Sequence, residues 1–212
     1  LPVSIFPTTT DTSTISIDRM HIFFDFSVPN TIQVVELFII SNSGSAVVVA
    51  ESLEKPVLSF RLPSGATDLQ FESGGLGDRY VETSDGFGDL SAVGPGQGQH
   101  QVLFSYSLPY DKKLDLAIPV PMDVGAAVVM MPQGGVKMQS AQLMASGSRD
   151  VQGIAFDLFT GADLTAGSDL TINLSGKARA ESAAAPTSMS GLLIGLGAFG
   201  LVLIGTGVWF FR

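Results

Sequence analysis

The chain predicts an all-β fold: antiparallel β-sandwich units through residue 176, then one C-terminal transmembrane helix. Three observations predict it. Apolar residues recur with a period of two in short runs, helical periodicity is missing from the first 176 residues, and residues 189–211 carry no charge.

Residues 1–12 read as an N-terminal extension. The first strand signal is STISIDRMHIFFDFSV, where Ile15 and Ile17 alternate and the pattern resumes as Met20, Ile22, Phe24 and Phe26. The phase slips at Asp18-Arg19, which predicts a bulge. TIQVVELFIISN and AVVVA flank Ser43-Gly44, a break that reads as a hairpin. VLSFRLP, TDLQFES, RYVET, QHQVLFSYSL, AAVVMMP, GVKMQSAQLM, VQGIAFDLF and DLTINLSG follow as further strands.

A faint internal repeat divides this series. FRLPSGATDLQ lies over MMPQGGVKMQ at an offset that matches Pro63 with Pro132, Gly65 with Gly134 and Gln70 with Gln139; the same offset matches Gly98 with Gly167. Two sandwich units are therefore expected, 13–108 and 109–176, with a junction near LPYDKKLDL. Convergence on common turn chemistry is the alternative. Residues 177–188, containing ARAESAAAPTS, are small and polar and read as a linker.

The run 189–211 contains Gly195-Leu196-Gly197-Ala198-Phe199-Gly200, which matches the G-x-G-x-x-G of a dinucleotide-binding turn. Such a turn opens a helix inside a βαβ unit and is followed about 20 residues later by an acid. No acid follows here, and the surroundings are those of a membrane span. At 1.5 Å per residue its length fits a hydrocarbon core of about 30 Å. Trp209, Phe210 and Phe211 form an interfacial belt ahead of Arg212. Gly191, Gly195, Gly197, Gly200 and Gly207 then read as places where another helix can come close; the alternative is that glycine is simply common in such helices.

Composition excludes several function classes. Asp and Glu number 20 against 11 Lys and Arg, for a net charge of −9. That balance argues against nucleic acid and against docking on anionic headgroups. The absence of cysteine excludes disulfides, thiolate metal sites, iron–sulfur clusters and covalently attached haem.

Candidate chemistry is sparse. His21 and His100 read as surface or rim histidines. Asp78, Asp85 and Asp89, on a glycine-bent loop, are weak Ca²⁺ candidates, although the loop lacks the alternating carboxylates and terminal Glu of a calcium loop. No catalytic residue and no cofactor are expected. Tyr80, Tyr106 and Tyr110 are a thin exposed supply for stacking sugars, and Asn173-Leu174-Ser175 is a weak glycosylation sequon.

The stretches VVELFIISNSG, LSFRLPSGATDLQF, DRYVETSDGFGD and GQHQVLFSYSLPYD resemble membrane-anchored β-sandwich proteins of bacterial envelopes labelled carboxypeptidase regulatory-like. The resemblance implies fold and location, not peptidase activity, because the zinc-binding His and Glu set of a carboxypeptidase is absent. Leu1 at the start fits removal of a signal peptide or a start further upstream. The expected role is a non-enzymatic, single-pass subunit with its β domain outside the cytoplasm. It would contact membrane lipid and the helices and extracytoplasmic domains of other subunits, as in a bacterial electron-transfer complex. The alternative is a stand-alone surface receptor that binds a ligand or Ca²⁺ through the acidic loop.

Overall fold

The computed structural model describes residues 5–52, 54–151 and 153–177, all of them strand, turn or loop. The expected helix at 189–211 and the linker from 178 onward lie outside the described residues. The first half of the described chain contributes β1 (Thr8–Thr9), β2 (Ile15–Asp25), β3 (Thr31–Asn42), β4 (Val47–Val48), β5 (Leu58–Arg61), β6 (Thr67–Phe71), β7 (Tyr80–Thr83) and β8 (Gly86–Asp89). The second contributes β9 (Gly96–Pro109), β10 (Lys113–Pro119), β11 (Val124–Pro132), β12 (Val136–Gln139), β13 (Met144–Val151), β14 (Ile154–Leu164) and β15 (Asp169–Gly176). The all-β class is as expected.

One seven-stranded sheet, in the order β13-β14-β11-β2-β3-β9-β6, is the base of the fold. Two three-stranded sheets, β5-β8-β7 and β10-β15-β12, accompany it. The smaller sheets alternate: Leu170, Ile172 and Leu174 of β15 are buried while Asp169, Thr171 and Asn173 are exposed, the pattern of a sheet with one wet face. The long central strands do not alternate. From Val34 to Asn42 every residue of β3 is buried, so the large sheet is closed on both faces.

One face of the large sheet shares a single apolar cluster with both small sheets. Its densest part is aromatic. Phe87 on β8 lies 5.1 Å from Phe60, 4.9 Å from Phe71, 5.5 Å from Tyr80 and 4.7 Å from Phe104, ring centre to ring centre. These stacked and edge-on pairs add to the area they bury. The approach of β8 to β5 requires glycine: a Cβ on Gly86 would stand 2.0 Å from the Phe60 carbonyl oxygen.

The sandwich is not wholly antiparallel. β2 pairs with β11 in parallel, from Ile17 opposite Val124 to Phe23 opposite Met130. The reason is topological. β9 is antiparallel to β3 and therefore runs with β2; the chain then reverses after β9 and again after β10, so β11 runs with β2 as well. The expected boundary at 108–109 falls at the end of β9, yet strands from both sides of it share this sheet.

The bulge expected at Asp18-Arg19 is present, as a register shift between Ile17 and Arg19 against β3. The hairpin expected at Ser43-Gly44 is not formed: β4 leaves β3 and pairs in parallel with β1. Asn42 explains the departure, because its side-chain amide donates to the carbonyls of Ala46 and Val93 at 2.9 and 3.0 Å and leads the chain away from the sheet. In the repeat, the Pro63 and Pro132 segments are both places where the chain changes sheet, and Gly98 and Gly167 both hold positive φ. Each outer strand of the large sheet is irregular, β6 with Asp68 at φ 54° and β13 between Ala145 and Gly147.

Phe87→Ala removes the ring at the centre of the aromatic cluster. Urea unfolding is expected to show a loss of about 3–5 kcal/mol; a loss below about 1 kcal/mol would show that the small sheet is not packed there.

Candidate functional site

The calcium candidates do not converge. Asp89 and Asp85 bracket β8, at opposite ends of the strand. Asp78 is exposed and precedes β7. Among the described residues no group of three or more His, Asp or Glu is placed to hold a metal ion. Asp85 instead stands at an open groove of about 660 Å³ between the β5–β6 and β7–β8 turns, together with Arg61, Asp68 and Glu82.

Asp89 is not on a solvated turn. Its side chain is fully buried and gathers β7, β8 and β9. Arg79 donates to it through Nη2 at 2.7 Å and through Nε at 3.2 Å, and a third donor is the backbone N–H of Ser91 at 2.9 Å. His100 Nε2 lies 2.9 Å from Oδ2, an arrangement in which the ring nitrogen donates. Burial alone would raise the carboxyl pKa, but the hydrogen bonds from His100, Arg79 and Ser91 outweigh it and hold the group well below the usual carboxylate range. Arg79 also donates to the Gln101 carbonyl at 2.8 Å and sits 4.9 Å from the Tyr80 ring centre. The expectation of two surface or rim histidines is corrected here: His100 is a strut of this network, with 12% of its side chain exposed.

His21 is corrected more strongly. It is 3% exposed, with Nδ1 lacking a partner, and Phe23 stacks beside it. Burial first, then the nearby Arg19 charge, lowers its pKa to about 4. The three tyrosines are buried as well, so no exposed aromatic patch exists at Tyr106–Tyr110. Tyr106 donates to Glu36 Oε1 at 2.7 Å. Burial raises the Glu36 carboxyl to about 7 despite that bond. Asn173, the sequon residue, donates to Asp115 at 2.7 Å.

The second face of the large sheet is the other unusual surface. Phe23, Val35, Leu37, Ile39, Leu103 and Met130, each 8% exposed or less, form a second cluster. Val151, Phe156 and Leu158 pack at its margin, half-buried. All of these side chains come from the large sheet itself; neither small sheet contributes. The period-two reading missed this face because the run VVELFII hides it: alternation tells two faces apart only when one of them is polar.

No protein-family model and no curated protein matches the chain. The helix-packing candidates Gly191, Gly195, Gly197, Gly200 and Gly207, and the interface candidates Trp209, Phe210, Phe211 and Arg212, lie outside the described residues. No helix among the described residues is long and apolar enough to cross a membrane.

Glu36 and His21 set opposite pH slopes. Glu36 keeps its proton in the folded state, so its contribution is full below about 4.5 and declines as pH rises to about 7. His21 stays neutral in the folded state, so its contribution grows as pH rises from about 4 to 6.5. The two offset each other in the wild type over that window. Glu36→Gln is expected to unmask stability that rises with pH there, and His21→Phe stability that falls. Urea midpoints between about pH 4 and 7 read both slopes; profiles parallel to wild type would overturn the assignment.

Proposed function

We propose that the chain is a non-enzymatic docking subunit held in a membrane by a helix at Met189–Phe211, with its β domain outside the cytoplasm. The domain would bind the extracytoplasmic part of a partner subunit through the half-buried margin of the second apolar cluster, at Val151, Phe156 and Leu158. The observation that carries this reading is a group of apolar side chains left half-buried at the edge of a cluster to which neither smaller sheet contributes. Apolar side chains grouped at a part-exposed margin mark a contact.

Two further features support the reading. The most strongly shifted titratable groups, Asp89, Glu36, His21 and Tyr106, are enclosed in the domain and not gathered in its groove. Perturbed groups collected in a cleft are what a catalytic site would offer. The uncharged run with its terminal aromatic belt supports the anchor, and the resemblance to envelope sandwich proteins agrees with the location.

Gentle solubilisation of the full chain from its membrane, followed by native mass measurement, is expected to give a defined assembly with other subunits. Leu158→Glu, on the half-buried margin, should release the domain from that assembly while thermal melting of the protein is kept. Gly197→Leu with Gly200→Leu should leave the chain in the membrane fraction but weaken the assembly, because added side chains hold a partner helix away. A wild-type monomer, or assembly retained in both variants, would overturn the docking role.

A further inference from the structure

Two turns meet where the chain leaves β15. The backbone N–H of Tyr110 donates to the Asn30 carbonyl at 2.9 Å, and the Tyr110 hydroxyl donates to the Gly176 carbonyl at 2.8 Å. The Gly176 N–H donates in turn to the Lys112 carbonyl at 2.9 Å. Phe26 packs edge-on against Tyr110 at 5.2 Å. The β2–β3 turn, the β9–β10 turn and the exit of β15 are thus fastened into one end of the molecule.

Lysines collect at this end. Lys113 and Lys137 face Ser175 from its two sides in β10-β15-β12, so they share a face of the sheet about 10 Å apart at the usual strand spacing. Lys112 lies in the turn bonded to Gly176, and Lys177 follows Gly176 directly. All four are exposed. They are four of the five lysines in the chain, and no ion pair to them is recorded among the described residues.

Acids stand at this end too, and Asp25, where β2 enters the turn, accepts from the Ser27 N–H and hydroxyl. Asp111 is exposed, and Asp115 already accepts from Asn173. The apolar Val28, 57% exposed, projects from the β2–β3 turn of the same end. The far end of the same strand pair carries Asp169 opposite Pro119.

We propose that this end of the domain rests on anionic lipid headgroups, with the four lysines at the headgroup level and Val28 in the interface. The inference rests on the anchor reading, because the exit at Gly176 leads to the apolar run. It also revises what net charge implied. A chain of −9 is repelled as a whole, but attraction to a charged surface acts within a Debye length, so the placement of four cations decides at contact.

The test uses the full chain in vesicles of phosphatidylcholine alone or mixed with phosphatidylglycerol. A membrane-permeant acetylating reagent is added, and the rate at each lysine is read by mass spectrometry. Lys55, exposed and paired with Glu51, is the internal control. The four lysines are expected to react several-fold more slowly than Lys55 in the mixed vesicles only. The protection should fade near 1 M salt, where the Debye length is about 3 Å. Rates that are the same in both vesicle types, with the chain resisting an alkaline wash, would overturn the headgroup contact. Release of the chain by the wash would overturn the anchor, and with it the contact that depends on it.

Discussion

The parallel ladder between β2 and β11 is the constraint on which the rest of the molecule depends. It brings position 17 beside position 124 and makes one sheet from the two ends of the domain. Without it, β13-β14-β11 would be a sheet separate from β2-β3-β9-β6. With it, both small sheets share one apolar cluster. Such a pairing is expensive to reach, because the intervening chain must be closed before the contact returns anything. The stability of each half is therefore tied to the completion of the other.

The interior also makes opposed demands on its acids. Asp89 is surrounded by donors and is held as an anion, whereas Glu36 has one hydroxyl partner in an apolar core and is held toward its neutral form. The difference lies in the number of hydrogen bonds each carboxyl receives, since both are buried. Asp89 joins three strands, and its loss would leave Arg79 with the Gln101 carbonyl and the Tyr80 ring to hold it. Glu36 pins Tyr106 across from β3 and costs little so long as its proton stays.

Much of the strand content was legible in the sequence because alternation is a local property. The slip at Asp18-Arg19 announced its bulge for the same reason. Pairing was not legible. Nothing near Val47 says that it will lie beside Thr8 and not beside β3, since the deciding bonds come from Asn42 to carbonyls at Ala46 and Val93. The Asp89 network was equally hidden: Arg79, Asp89 and His100 stand at unrelated spacings, and only three-strand geometry brings them together. Glu36 did leave a trace, as the lone carboxylate inside VVELFII. His21 left a misleading one, because a polar residue between Met20 and Ile22 reads as facing water unless the second face is known to be apolar.

The irregular outer strands of the large sheet have a consequence for crowding. Crowded copies of a β protein meet often, and an open strand edge is a template for another chain. At β6 the left-handed Asp68 breaks the ladder, and at β13 the shift at Gly147 does the same. A bulge twists the edge and spoils the spacing of its free N–H and C=O groups. Copies packed side by side would then find no straight edge to extend, so the domain can be crowded without polymerising into ribbons.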